Sequence, residues 1–544
     1  MSDQLLKSPS SRPAGREKGE PVAVVRGVLQ RYSIAAVAIV IAVLLANLLP
    51  SVFHSRNSAS SSASVTPSNI TPAAAPGTPG ITVGGVKCGP GVRQVPWSHY
   101  APICVPKWTG NNGGATAPGV TRTTITLTYR EAASSELQAL YSLVPPSAIG
   151  TNSEGIATMQ AYINTFNKEF ELYGRKVVLK PFVGKGDFIS EFSGQDQTGA
   201  QEDAVTAKSL GAFADSSVLD ATTLYERELA RQGVIGLTIY GAPTSFFQRY
   251  SPYLYTTGTV CSKTVAQTVQ LVGRTLNKTP VSFAGGGLNG RKRVFGFIGY
   301  GNSEQQACNQ EIVSQLKSRY GITVSPVITM ALNGNELQNE AATAIAKLKS
   351  AGVTTILCST CDFITPIYLT KAADTQGYYP EWIQTDLLDS LTALQSSAQL
   401  AHTEGFGSQV LPKQATEAYH AFKLGAPPGE HIIPSFSYVY EPLLMFFDAL
   451  QAAGPDLTPA TFQKGFRSLP PSTPGGMYGG WAFNSNSFDP NASYSMAAWS
   501  NTAVNAVDGI RGSWVNCNNG SLYNYNGTPP QLPIGKELNC PKTG

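Results

Sequence analysis

Charged residues and histidines are scarce in this sequence. Charged side chains make up 14% of the 544 residues and hydrophobic ones 42%, which excludes a disordered chain or a coiled coil. Residues 1–32 hold six of the 39 Lys and Arg and three of the 35 Asp and Glu, so the rest has 33 basic and 32 acidic side chains. Because the chain after residue 32 is nearly neutral, we predict no nucleic-acid partner.

The common enzyme motifs are missing as well. There is neither an HExxH nor a GxSxG motif, and the five histidines are scattered, at His54, His99, His402, His420 and His431. The glycine-rich stretch 285–293 lacks the GK[ST] of a phosphate loop and is interpreted as a turn. A zinc ribbon needs two CxxC units, and only Cys358 and Cys361 have that spacing. We therefore predict no enzyme, no metal and no cofactor.

One segment is long and apolar enough to span a bilayer, residues 33–53. Six basic residues precede it and only Arg56 follows closely, which predicts a cytoplasmic N-terminus and a single-pass protein of the plasma membrane. A cleaved secretory signal is the alternative. The 31 residues before the apolar run are longer than the charged region of a signal peptide, which favours an uncleaved anchor.

Residues 54–82 are rich in Ser, Ala, Thr and Pro, a composition that predicts a flexible linker. All the cysteines follow it, on the side of the membrane where disulfides form. Sequence does not fix their connectivity. They fall into four neighbouring couples, however, and we predict the disulfides Cys88–Cys104, Cys261–Cys308, Cys358–Cys361 and Cys517–Cys540.

From residue 123 onward, apolar strands alternate with amphipathic helices, which predicts parallel α/β sheets. Strands are expected at 123–129, 175–183, 234–240, 253–258, 293–300, 322–330, 353–360 and 381–386. Helices are expected between them and at 434–454, and Gly321 is a predicted C-cap. A β-rich region at 479–488 and 494–500 follows.

The order of these segments resembles the type I periplasmic solute-binding proteins, in particular the leucine/isoleucine/valine-binding receptors of ABC importers. The resemblance covers roughly residues 119–515. It rests on KRVFGFIGYGN, ELQNEAATAIAKLKSAGVTTIL and AADTQGYYPEWIQTD, and on the late hairpin GGMYGGWAFNSNSFDPNASYSMAAW. It implies two parallel α/β lobes joined by hinge crossovers, residues 119–258 with 389–470 and residues 259–388 with 471–515. Residues 83–118 and 516–544 lie outside it and are interpreted as disulfide-stapled extensions.

Ligands of open α/β sheets bind beyond the carboxyl ends of the strands, where helix N-termini offer N–H groups to anions. The candidates at these ends are Tyr129, Ser216, Ser217, Tyr240, Gly241, Thr244, Tyr300, Phe363 and Asp386. The resemblance implies that Ser216 and Ser217 hold a ligand carboxylate and that Asp386 holds its ammonium group. Each residue also has a structural interpretation, since Ser216, Ser217 and Asp386 are good helix caps and the aromatic residues are good core residues.

The sequence thus predicts a membrane-anchored solute-binding protein for an ABC permease, with an amino acid or amide as the small polar ligand. A sensory or cell-surface ectodomain would use the same two lobes. A thiol-disulfide oxidoreductase acting through Cys358 and Cys361 is a further alternative, because this pair lies between a strand and a helix.

Overall fold

The computed structural model describes residues 69–541 apart from 219–220, 332–335, 386–388, 408–410, 477–478 and 506–508. The predicted anchor at 33–53 and most of the linker therefore lie outside the described residues. Among the residues described, no helix is both long and apolar enough to cross a membrane.

The eight strands expected between residues 123 and 386 are all present, whereas the strands at Ala214–Asp215, Thr403–Gly407 and Arg511–Asn516 were not predicted. The strands are β1 (Gly80–Ile81), β2 (Lys87–Cys88), β3 (Thr124–Glu131), β4 (Lys176–Val183), β5 (Ala214–Asp215), β6 (Ile235–Thr238), β7 (Leu254–Thr256), β8 (Phe295–Tyr300), β9 (Val324–Met330), β10 (Thr355–Thr360), β11 (Glu381–Thr385), β12 (Thr403–Gly407), β13 (Ser493–Val504), β14 (Arg511–Asn516) and β15 (Tyr523–Asn524).

Helices occupy most of the connections between the strands. They are α1 (Ser134–Leu143), α2 (Pro146–Ile149), α3 (Asn152–Glu169), α4 (Phe188–Phe192), α5 (Gln197–Ser209), α6 (Thr223–Gln232), α7 (Thr244–Arg249), α8 (Cys261–Gln270), α9 (Ser303–Tyr320), α10 (Leu337–Ser350), α11 (Thr365–Thr375), α12 (Asp389–Thr392), α13 (Ser397–Leu400), α14 (Glu417–Gly425), α15 (Phe436–Ala453) and α16 (Pro459–Arg467). A π-helical turn, Leu271–Leu276, continues α8, and 3₁₀ turns lie at Lys413–Ala415 and Asn518–Gly520. Gly321 ends α9 in the left-handed conformation, with φ of 68°, as predicted.

The larger strands form two sheets. The first contains five parallel strands in the order β4-β3-β5-β6-β7, and the second runs β14-β13-β12-β11-β10-β8-β9, with β15 paired to β13. In the second sheet β8 to β12 are parallel, and β13 and β14 are antiparallel to their neighbours. Strands β8 and β10 are buried at every position, as expected where helices cover both faces of a parallel sheet.

The chain crosses between the two lobes three times: after β7, after β12 and before β13. Helix α15 is almost entirely buried and supplies much of the core of the first lobe, with α14 and α16 beside it. Residues 389–470 are predicted to belong to the first lobe. Because β12 pairs with β11 of the second sheet, the second crossing comes after Gly407, not at residue 389.

Both extensions are integral parts of the lobes. Val95 and Tyr100, from the N-terminal extension, belong to the core of the first lobe. Leu532 and Leu538, from the C-terminal tail, are buried in a core of the second lobe. The structure contains the four predicted disulfides, Cys88–Cys104, Cys261–Cys308, Cys358–Cys361 and Cys517–Cys540.

The predicted β-structure at 479–488 is wrong. Within this stretch only Trp481 forms a β-bridge, with Asn491. The segment turns at Asn484, whose side-chain oxygen accepts the N–H of Asn486 and whose own N–H donates to the Ser487 hydroxyl. Asn and Ser favour such local hydrogen bonds over a strand ladder. The second part of the prediction, at 494–500, lies within β13.

Candidate functional site

A cavity of about 380 Å³ lies between the two lobes. Its wall includes residues that follow β6 and β7 in the first lobe and β8 and β10 in the second. It therefore opens at the carboxyl ends of parallel strands, where α/β sheets bind ligands. Its volume is in the range of small-molecule sites.

An aromatic cluster forms one part of this wall. Its central residue, Phe192 of α4, contacts the rings of Tyr300 at 4.8 Å, Tyr240 at 5.4 Å, Phe188 at 5.6 Å and Phe363 at 6.3 Å between ring centroids. Phe188, Phe192 and Tyr240 come from the first lobe, and Tyr300 and Phe363 come from the second. The cluster therefore holds the lobes together and gives the cavity an apolar surface.

Two hydrogen bonds also link the lobes at the cavity. The Tyr300 hydroxyl donates to the backbone oxygen of Phe192, and Gln305 Nε2 donates to the oxygen of Gly241 at 2.7 Å. Leu140 of α1 and Val144, which follows the helix, pack in the same hydrophobic cluster as the second-lobe residues. The structure thus shows the lobes closed on each other.

Four of the predicted site residues line the cavity, namely Tyr240, Gly241, Tyr300 and Phe363. Asp386 lies outside the described residues. Tyr129 is fully buried in the core of the first lobe, and Thr244 is the first residue of α7 and does not line the cavity. Their assignment to ligand binding stays a prediction.

Ser216 and Ser217 are fully buried and do not line the cavity either. The Ser217 hydroxyl donates to Asp215 and accepts the N–H of Arg130 at 2.7 Å. Asp215 also accepts hydrogen bonds from Thr128 at 2.6 Å and Tyr225 at 3.1 Å. Burial raises the pKa of the Asp215 carboxyl, and these hydrogen bonds oppose the rise. In this closed structure the Ser217 hydroxyl is therefore hydrogen-bonded to a buried carboxyl group.

A buried ionic network positions α4 and its aromatic residues. The Arg130 guanidinium lies 2.7 Å from Glu191 and 3.2 Å from Asp203, and it stacks 3.9 Å above the ring of Tyr225. Thr222 donates to Glu191 at 2.6 Å. Burial raises the pKa of the Glu191 carboxyl, and the Arg130 charge opposes the rise. Arg130 lies near the end of β3, so the network fixes α4 against the first sheet.

Among the described residues that line the cavity, none is Lys, Arg or His, and the carboxylates are Asp362 and Glu441. Asp362 accepts the N–H groups of Ile364 at 2.8 Å and Thr365 at 2.7 Å, together with the Thr365 hydroxyl. It therefore caps the start of α11. Glu441 lies on α15 and was not among the predicted site residues.

The disulfide of the CxxC pair also reaches the cavity. Cys361 is part of the wall, whereas Cys358 is buried within β10 with 2% of its surface exposed. The described residues contain no group of three or more His, Cys, Asp or Glu side chains that could hold a metal ion.

Sequence reasoning missed several residues of the wall. Phe188 and Phe192 stand four apart, a spacing that places both on one face of a helix, although the segment around them has no helical periodicity. Tyr525 belongs to the C-terminal tail, outside the part of the chain on which the resemblance rests.

Comparison with known proteins gives matches at the level of structure. No protein-family model and no curated protein sequence matches the chain. A leucine-, isoleucine-, valine-, threonine- and alanine-binding protein from Brucella ovis, in a closed conformation, matches with a TM-score of 0.52 and 14% identity over 77% of this chain and 99% of that one.

Two further solved structures match to a similar degree. An ABC transporter substrate-binding protein from Aeropyrum pernix has a TM-score of 0.51 and 10% identity, over 72% of this chain and 95% of that one. A solute-binding protein of an ABC transporter from Rhodopseudomonas palustris HaA2, in complex with p-hydroxybenzoic acid, has a TM-score of 0.50 and 11% identity, over 75% and 100%. The chain therefore has the α/β fold of the type I periplasmic solute-binding proteins of ABC transporters.

Proposed function

We propose that this protein is a membrane-anchored, extracytoplasmic solute-binding protein that closes two lobes on a small, amino-acid-like ligand for an ABC-type importer. The observation that carries the proposal is a single cavity walled by strand ends of both lobes and bridged by Tyr300 and Gln305. Each bridge exists only when the lobes meet, so a ligand that contacts both lobes favours the closed form.

The composition of the wall supports a small organic ligand. Aromatic rings and hydroxyl groups are common in the wall of the cavity, and basic side chains are missing from its described part. Such a lining suits a ligand with an apolar body and few charged groups. Two structural neighbours bind ligands of this size, since one is named for five amino acids and the other contains p-hydroxybenzoic acid.

The anchor belongs to the same proposal. Residues 33–53 would fix the chain in the plasma membrane, with residues 1–32 in the cytoplasm and the lobes outside. Four disulfides agree with an oxidising compartment. A transporter or a sensor could detect closure, and importer permease and ATPase genes beside this gene would favour transport.

The oxidoreductase alternative has weaker support. A redox pair needs an accessible nucleophilic thiol. Cys358 is nearly inaccessible in β10, so only Cys361 faces the cavity. We therefore interpret this disulfide as part of the cavity wall.

The function can be tested by measuring the thermal stability of the full chain in detergent with added solutes. The panel would contain amino acids, amides, short peptides and sugars, because bound ligand raises the melting temperature by mass action. We expect members of the first two classes to raise it. A panel in which only sugars do so, or in which no solute does, would contradict the proposal.

A further inference from the structure

Buried hydrogen-bond acceptors line the end of the cavity next to the chain crossings. Thr257 follows β7 at the first crossing, and its backbone oxygen accepts from the Asn491 side chain at 2.8 Å. Asn491 also forms a β-bridge with Trp481. Gln267 lies on α8, the helix that begins just after the crossing. We call Thr257, Gln267 and Glu441 the hinge-side subsite, and all three line the cavity.

Two polar atoms of this subsite have no hydrogen-bond partner in the described part of the chain. They are Thr257 Oγ1 and Gln267 Oε1, in residues that are 6% and 2% exposed. Buried polar atoms are nearly always hydrogen-bonded, and an unpaired one is unfavourable. Because both residues line the cavity, a bound molecule can supply the missing partners.

The chemistry of the subsite selects the kind of partner. A glutamine Oε1 accepts only, an ionised glutamate accepts only, and a threonine hydroxyl can accept. The nearby Lys263 is already ion-paired, with Asp489. No described Lys, Arg or His forms an ion pair with Glu441, so its charge is not neutralised by the protein.

Burial and the Asp489 charge raise the pKa of the Glu441 carboxyl. A cation beside Glu441 would oppose this rise, because it stabilises the ionised form.

Other residues near Glu441 in the chain also line the cavity. Tyr438 and Glu441 stand three apart on α15, a spacing that puts them on one helix face, and Ser435 immediately precedes the helix. The aromatic cluster around Phe192 forms another part of the wall and suits an apolar body.

We propose that the hinge-side subsite binds the ammonium group of a ligand with an apolar or aromatic body, through Glu441, Gln267 and Thr257. This inference rests on the proposed function and deepens it. It assigns the binding of the ligand ammonium group to Glu441, whereas the resemblance implies Asp386. A ligand would not need a carboxylate group to bind. No basic side chain lines the described cavity, and the Ser217 hydroxyl already donates to Asp215.

The test uses three probes with the same phenyl body: phenethylammonium, L-phenylalanine and 3-phenylpropanoate. Calorimetric titration of the full chain in detergent should show that the two ammonium compounds bind at least tenfold more tightly than the carboxylate. Glu441→Gln should weaken phenethylammonium binding at least tenfold, the scale of a lost charge-assisted hydrogen bond. Gln267→Leu should weaken it severalfold.

Glu404→Gln is the matched control, since Glu404 is a buried glutamate of β12 that does not line the cavity. It should leave phenethylammonium binding unchanged. Titration of the native chain alone can contradict the inference, even if Glu441→Gln fails to fold. It does so if 3-phenylpropanoate binds more tightly than the ammonium compounds or if no probe binds. The inference would also be contradicted if Asp386→Asn lost phenethylammonium binding while Glu441→Gln retained it. In each case a positive solute panel would leave the proposed function standing.

Discussion

At the level of single side chains, each lobe has a buried arginine that forms ion pairs with carboxylates. In the first lobe, Arg130 gives Glu191 and Asp203 a common cationic partner. In the second, Arg293 pairs with Glu381 and Glu537, while Glu404 lies near this pair without an ion-pair partner among the described residues. The buried carboxyl group of Glu404 makes the free energy of unfolding depend on pH.

The pKa of Glu404 is raised to about 8, chiefly by burial, with further contributions from Glu381 and Glu537 and an opposing one from Arg293. A folded-state pKa above the unfolded value means that the folded state binds the proton more tightly. This stabilisation is complete below pH about 4.5 and is lost as the pH rises to about 8.

Replacing Glu404 by Gln removes this titration. The variant should match the native chain near pH 4.5 and exceed it in free energy of unfolding at pH 8, on the order of a few kcal/mol. Urea unfolding at both pH values measures the difference. An equal difference at the two pH values would show that Glu404 does not titrate in this range.

At the level of elements, the short helix α4 contributes more to closure than its length suggests. It carries Phe188 and Phe192 into the cavity, and Arg130 holds it through Glu191. The sequence predicts most long helices and strands well, because their apolar residues repeat at helical or strand spacing. A five-residue helix has no such repeat, so α4 and its aromatic residues could not be found.

The site shows the same limits of sequence reasoning. The rule that ligands bind at strand ends finds Tyr240 and Tyr300, because they follow predicted strands. It does not find Glu441, which lies within a helix whose apolar pattern marks it as a core element. Ser217 follows a strand as expected, but a neighbouring carboxyl group, which only the fold brings close, engages its hydroxyl.

Phe192→Ala should favour the open form. The substitution removes ring contacts to Tyr300 and Phe363 across the lobes, each worth about 0.5–1.5 kcal/mol. The ratio of closed to open molecules should fall about tenfold, and the radius of gyration from small-angle scattering should increase. Phe246→Ala, a half-buried aromatic residue outside the cavity, should leave the radius unchanged. An unchanged radius in Phe192→Ala would show that the ring is not required for closure.

Joint replacement of Cys88 and Cys104 by Ser should destabilise the first lobe. The two cysteines are 16 residues apart, and a loop of this length gives about 3 kcal/mol in the chain-entropy model. The loss is expected to reach the lobe because Val95 and Tyr100, within the loop, belong to its core. Chemical denaturation followed by tryptophan fluorescence measures it. An unchanged midpoint would mean that core packing alone holds the extension.

At the level of the whole molecule, the proposed topology joins the membrane to a two-lobed binding domain. If residues 33–53 are the proposed anchor, protease added to intact cells removes the lobes. The anchor also predicts that the membrane form of the protein starts near Met1, which N-terminal sequencing can measure. A mature N-terminus between residues 50 and 80 would instead identify the apolar segment as a signal peptide.

The three crossings between the lobes have a consequence for biosynthesis. The ribosome makes the strands of the second sheet up to β12 before it makes α15, the core helix of the first lobe. The cavity wall then still lacks Tyr525, which follows β15 in the tail that the Cys517–Cys540 disulfide closes. Neither lobe can finish folding before much of the other has been synthesised. A nascent chain therefore has the complete cavity wall only after Tyr525 has been synthesised.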